Sequence, residues 1–208
     1  MFYSQAGQDQ FIINVLKGKK NGYFLEIGSN HPSQINNTYK LEKEYGWNGL
    51  MVEYDAKWEQ EYKSNRTSHY IIADAVDIDY RGKFQELNFP TNMDYLQIDL
   101  EVENASTIKT LENLDRNIFP HYKFATVTFE HDIYRGDFFN TRMRSREIFS
   151  AWNYYRVFQD IANQYNVYED WYVHPDLVDM EYIKQIQSDK SMNWQEIIKI
   201  LHPNRTST

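Results

Sequence analysis

Tyr23-Phe24-Leu25-Glu26-Ile27-Gly28-Ser29-Asn30, answered further on by Leu50-Met51-Val52-Glu53-Tyr54-Asp55, decides the fold of this chain. A short apolar run leads into a glycine. A polar, helix-prone segment follows and closes on Gly46-Trp47-Asn48-Gly49, and a second apolar run delivers Glu53 and Asp55. The pattern is strand, loop, helix, strand, with a glycine at the first strand's exit and an acid at the tip of the second. A unit of this kind binds a nucleoside-containing cofactor.

Outward from that unit, Phe11, Ile12, Val15 and Leu16 recur at helical spacing, which predicts a helix from about Gln8 to Leu16. A helix over Thr38 to Tyr45 stops at Gly46, and Asp55 caps a helix carrying Trp58 and Tyr62. Strands are expected at Tyr23 to Ile27, Gly49 to Tyr54, His69 to Ala73, Met93 to Leu100 and Phe124 to Phe129, with a helix over Ala105 to Leu114. Asp77 to Pro90 reads as polar and irregular, an edge hairpin at most. Arg135 to Arg144 reads as a loop rich in Arg and Phe, after which Ser145 caps a helix through Trp152. Tyr155 to Phe158 and Val167 to Val173 are two closing strands, and Asn193 with Glu196 opens a last helix as a capping box. Strands alternate with helices, so the expected class is α/β. The sheet is Rossmann-like and mostly parallel, with helices on both faces and an antiparallel hairpin at one edge. One domain spans 1–208, with 202–208 a flexible tail.

The 208 residues, 41% of them hydrophobic, suffice for one domain with a sizeable core. A net charge of −8 gives no general attraction to phosphates, so a nucleic-acid partner is not expected. The absence of cysteine removes thiolate metal sites, disulfides and cysteine nucleophiles together. No apolar run approaches the roughly 20 residues of a membrane span, and the first residues lack the features of a signal peptide. A cytoplasmic protein without a membrane partner is expected.

Each expected strand ends in acids: Glu26, Glu53, Asp74, Asp99 and Glu130. Parallel α/β sheets bind ligands outside the carboxyl ends of their strands, so most of these acids converge on one rim. A cationic ligand offsets their mutual repulsion. A dinucleotide site requires three glycines to admit a pyrophosphate, and here Gly28 stands alone before Ser29 and Asn30. S-adenosylmethionine has no phosphate and carries a sulfonium. Gly28 supplies backbone room for its amino-acid end, Glu53 sits where a ribose-binding acid belongs, and Asp74 sits where the adenine amine would be met.

The segments SQAGQD, NGYFLEIGSN, NNTYKLEKEYGWNGLMVEYD and IIADAV, with the later DYLQIDLEVEN, TFEHDIY and EDWYVHP, resemble the FkbM family of S-adenosylmethionine-dependent methyltransferases. The resemblance runs to about Pro175. One departure is Val102, where the family usually has glycine after the glutamate that Glu101 matches. The resemblance implies that Glu26, Gly28, Ser29 and Asn30 form the first cofactor motif, that Glu53 holds the ribose, and that Asp74 with Ala75 meets the adenine. It further implies that residues 1–22, with Gln5, Gln8 and Asp9, fold over the cofactor, and that the acceptor is a hydroxyl on a glycan or small metabolite.

Methyl transfer to a hydroxyl benefits from a nearby base. Asp99, Glu130 and His131 are the candidates, with Asp99 placed beside the cofactor and His131 best tuned by its ordinary pKa. Glu130, His131 and Asp132 alternate direction on a strand and cannot all face one ion, so no metal is assigned. Arg135, Arg142, Arg144 and Arg146 read either as a lid for an anionic acceptor or as a solvated face. Two alternatives stand beside the methyltransferase reading: a nicotinamide-dependent oxidoreductase on the same kind of sheet, and a non-catalytic cofactor-binding module.

Overall fold

The structure is a computed structural model that describes residues 3–203. Seven strands form one sheet: β1 (Tyr23–Ile27), β2 (Asn48–Glu53), β3 (His69–Ile72), β4 (Asn92–Ile98), β5 (Lys123–Glu130), β6 (Tyr155–Asn163) and β7 (Asn166–Val173). Their order is β3-β2-β1-β4-β5-β7-β6. The first five run parallel, and β7 pairs antiparallel with both β5 and β6. The chain therefore reverses strand order between β1 and β4, which opens a crevice at their carboxyl ends. The mostly parallel sheet and the antiparallel edge hairpin agree with the sequence reading.

The residues expected to form these strands do so because alternate side chains feed two apolar layers. Leu25, Ile27, Leu50, Val52, Leu96 and Ile98 point to one face, where they meet Phe84 of α4 (Tyr80–Glu86), Leu111 and Leu114 of α5 (Ser106–Asn117), and Ile148 and Phe149 of α6 (Phe139–Ala151). Phe24, Met51, Tyr95 and Trp171 point to the other. There they meet Phe11 and Ile12 of α1 (Gln8–Val15), Leu41 of α2 (Tyr39–Tyr45) and Tyr62 of α3 (Glu59–Asn65). Ile183 of α7 (Met180–Ile186) and Ile197 of α8 (Trp194–Leu201) complete that layer. Phe11 lies 4.8 Å from Trp171, ring centre to ring centre, so the N-terminal helix packs on the antiparallel hairpin side of the sheet.

Local signals set the boundaries. Gly46 closes α2 at φ 70°, the left-handed conformation a helix stop favours. Glu196 accepts the Asn193 N–H at 3.1 Å, the return bond of the capping box that opens α8.

Two expectations are corrected, and one helix is added. The segment 77–90 holds α4, not an irregular hairpin: Asp79 caps it by accepting from Gly82 N at 2.9 Å, and Tyr80 and Phe84, one turn apart, are buried. α6 begins at Phe139, well before Ser145, because Arg142 and Arg146 are drawn inward by ion pairs instead of facing water. Residues 180–186, to which the sequence reading assigns no element, form α7, capped by Asp179. The tail expected to be flexible lies, from residue 204 on, outside the described residues. Among the described residues no helix is long and apolar enough to cross a membrane.

Candidate cofactor and acceptor cleft

Near the carboxyl ends of the strands, the layer under α1 turns from apolar to polar. Register places Glu26, Gln97, Thr128 and Trp171 in one cross-strand row, with Glu130 opposite Glu169 in the next. Above this row lies a cleft of three joined lobes. The first, about 330 Å³, is lined by Val52, Tyr54, Asp74, Ala75, Leu100 and Ser106 among others. The second, about 440 Å³, runs from Gly28 and Glu53 to Asp99, Glu130 and Asp132. The third, about 380 Å³, is walled by Gln5, Gln8, Glu26, Asn37 and Gln97.

Gly28 leaves β1 at φ +78°, and its N–H donates to Val52 O at 2.9 Å. A Cβ there would sit 1.7 Å from the Asp99 carbonyl oxygen, so no other residue allows β1 and β4 to meet this closely. Asn30 is left-handed at φ 49°, and its N–H donates to Glu53 Oε2 at 2.7 Å. The Asp55 N–H donates to Glu53 Oε1 at 2.8 Å. Two backbone amides thus fix the Glu53 carboxylate at the tip of β2, and each oxygen keeps a further lone pair. Ser29 is buried, donates to Val52 O at 3.1 Å and receives Tyr62 OH at 2.8 Å.

Glu26 lines the third lobe but its oxygens are occupied. Oε2 accepts from Thr38 Oγ1 at 2.6 Å, and Oε1 accepts from Asn37 N at 3.2 Å. Burial pushes its carboxyl up, while Arg66, which donates to Thr38 Oγ1 at 2.8 Å, draws it down. Arg66 also meets Glu42 at 3.0 Å. Burial opposes ionisation of Glu42, but the Arg66 charge together with hydrogen bonds from Ser68, Thr67 and Arg66 outweighs it and holds that carboxyl at about 2. Glu26 thus organises the loop between β1 and α2.

Asp74 is exposed, with one oxygen capping Val76 N at 3.0 Å, and Ala75 is buried beside it. Asp99, Glu130 and Asp132 gather at the far end of the second lobe. Burial raises the Asp99 carboxyl to about 6, with the charges of Asp132 and Glu101 adding to the rise and its hydrogen bond to Glu130 opposing it. Burial and the Asp99 charge drive Glu130 well above its ordinary value. Burial and mutual repulsion therefore keep the two carboxyls from ionising together, and they titrate as one pair.

Gln8 lines the third lobe. Its Oε1 accepts from Ala6 N at 2.9 Å, and its Nε2 donates to Glu169 at 3.2 Å. Glu169 also accepts from Trp171 Nε1 at 2.6 Å, and burial pushes its carboxyl up to about 8.

His131 is not brought to the cleft. Its ring is fully buried, with Nε2 3.6 Å from Asp170 Oδ1 and 3.9 Å from Asp160 Oδ1. Strand alternation turns it away from the direction Glu130 takes. These three side chains could bracket a cation by distance alone. The carboxylates are, however, already spent on arginines: Arg142 and Arg146 each reach Asp160 at 2.8 Å, and Arg146 grips Asp170 at 2.7 and 2.9 Å. Arg144 pairs with Glu147 at 3.2 Å. The lid for an anionic acceptor is therefore corrected for Arg142 and Arg146, which fasten α6 to the β6–β7 hairpin, while Arg135 lines the second lobe with its charge shared among acids.

Sequence reasoning did not single out Tyr54, Leu100 or Gln97. Tyr54 follows Glu53 directly and is 76% exposed between the first and second lobes. Gln97 is buried under the third lobe, and its Oε1 has no hydrogen-bond partner; Asn37 Oδ1 in the same lobe is likewise unpartnered. Two desolvated carbonyl oxygens facing one chamber mark it as a place for a ligand that supplies N–H donors.

No family model matches the sequence, and no curated protein matches it. Solved structures do resemble the fold. A methyltransferase from Pyrococcus furiosus aligns with a TM-score of 0.52 and 12% identity, over 79% of this chain and 80% of that one. A putative rRNA-methylase from Clostridium thermocellum aligns with a TM-score of 0.52 and 13% identity, over 83% of this chain and 97% of that one. Together with the strand order, these likenesses establish that the chain has the Rossmann-like class I methyltransferase fold.

Proposed function

We propose that this protein is an S-adenosylmethionine-dependent methyltransferase that methylates a hydroxyl on a sugar or other small metabolite. The observation that carries the reading is the Glu53 carboxylate, held at the tip of β2 by Asn30 N and Asp55 N between the glycine turn and the lobe bearing Asp74. The residues fit the cofactor. The first lobe offers Val52, Leu100 and the open ring of Tyr54 to an adenine, with a free Asp74 oxygen for its amine. The unpartnered oxygens of Gln97 and Asn37 suit an ammonium. The single glycine leaves no cradle for a pyrophosphate, which disfavours the nicotinamide alternative. When bound, the cofactor supplies an electrophilic methyl on a sulfonium.

The chain's own residues do the rest. Glu53 and Asp74 orient the ligand from one side, and the segment bearing Gln5 and Gln8 covers it from the other. Asp99, which lines both the second and third lobes and pairs with Glu130, accepts the hydroxyl proton. Positioning supplies much of the acceleration. The resemblance to the FkbM family supports a hydroxyl acceptor, and the charge of −8 argues against a nucleic acid. A thermal-shift screen tests the reading: S-adenosylhomocysteine raises Tm and NAD does not. Stabilisation by NAD alone would sink it.

A further inference from the structure

The second lobe carries more negative charge than the cofactor requires. Beyond Glu53, its far end holds Asp99, Glu101, Glu130 and Asp132, and the bases lining it among the described residues are Lys57 and Arg135. Both are engaged. Lys57 meets Asp55 at 2.5 Å, and Arg135 is shared among Glu103, Glu101 and Asp132 at 2.9, 3.3 and 3.3 Å.

Asp132 is the informative member. It is 4% exposed, its backbone is left-handed at φ 47°, and its Oδ1 has no hydrogen-bond partner. Leaving such an oxygen without a donor is destabilising, and a bound donor relieves it. Tyr134, two residues on, leaves its ring 48% exposed against the same lobe. A carboxylate with one oxygen on Arg135 and the other without a donor, beside an open aromatic face, suits a cation.

We propose, on the methyltransferase reading above, that the acceptor is a polyol bearing a protonated amine, of the amino-sugar or aminocyclitol class. Its ammonium is held at Asp132, and a neighbouring hydroxyl meets Asp99 and takes the methyl. An ammonium offers three donors and no acceptor, which matches a wall of carboxylates. It has no lone pair, so it serves as the anchor and not as the nucleophile. In the transfer, the hydroxyl oxygen bonds the methyl carbon, the hydroxyl proton passes to Asp99, and the methyl–sulfur electron pair stays on sulfur. One negative and one positive charge are consumed together. Phosphorylated or carboxylated acceptors meet repulsion, because Arg142 and Arg146 are committed to Asp160 and Asp170.

Calorimetry on protein saturated with S-adenosylhomocysteine tests this, with cofactor binding recorded first so that its failure is seen separately. The probes are 2-deoxystreptamine and glucosamine, each against its N-acetylated form. The amines bind at least tenfold tighter than the N-acetylated forms, and Asp132→Asn abolishes that preference. Asn tolerates the left-handed backbone, so the variant folds. Glu147→Gln, on the outer surface of α6, retains the preference. Equal binding of the paired probes, or no binding of any, overturns the proposal. So does Mg²⁺ binding that Asp132→Asn removes, which would make the lobe a metal site.

Discussion

Gly28 and the Asp99 carbonyl are in backbone contact: a methyl group on Gly28 would fall 1.7 Å from that oxygen. The turn that opens the cleft and the strand that carries the proposed base are thus one packed unit.

Gly28→Ala combines this overlap with a φ of +78°. It is expected to destabilise the fold by on the order of 3 kcal/mol or more. Urea unfolding monitored by circular dichroism measures the loss, and a midpoint within error of the parent would contradict the packing.

Glu53→Ala removes an acceptor from two backbone amides and from the proposed ribose contact. Affinity for S-adenosylhomocysteine by calorimetry should fall at least tenfold in a protein that keeps its secondary structure. Unchanged affinity would remove Glu53 from the site.

The parallel half of the sheet was legible because apolar runs alternate with helical spacing and each run ends in an acid. The glycine turn and the acids at the tips of β2, β3 and β4 followed from the same pattern. α4 was not legible, because Gly82 interrupts it and its apolar face amounts to Tyr80 and Phe84. The early start of α6 was hidden because ion pairs, not apolar side chains, hold Arg142 and Arg146 inward. His131 shows the limit of residue type as a guide. Its ordinary pKa suits a base, yet strand parity directs it to Asp170. Gln97, on β4, carried no signal beyond parity with Asp99 just past the strand's end.

Burial raises the carboxyls of Glu26, Asp99, Glu130 and Glu169 above their unfolded values. For Glu169 the native value is about 8 against 4.5, so between those limits the native state holds more protons than the unfolded one. Stability therefore falls as pH rises through this window. Glu42 and Asp170 are lowered, and their contribution is lost only in more acidic solution. Tm should be lower at about pH 8 than at about pH 5.5, at constant ionic strength. Glu169→Gln flattens the slope, since its amide oxygen still accepts from Gln8 and Trp171. A Tm that rises over this range would contradict the assignment.

Arg146→Met strands the Asp170 carboxylate, which is fully buried. A loss of roughly 3 kcal/mol is expected from an uncompensated buried charge. Because the pair lies outside the cleft, affinity for S-adenosylhomocysteine should change less than twofold in the folded fraction. Parallel loss of affinity would place α6 in the cofactor site instead.

A crystal structure with S-adenosylhomocysteine tests the central claim most directly. The account predicts the ribose hydroxyls on the Glu53 carboxylate, the adenine between Tyr54 and Leu100 with its amine at Asp74, and the amino-acid end against Gln97 and Asn37. Binding of the nucleoside away from Glu53, or an empty cleft at saturating ligand, would contradict it.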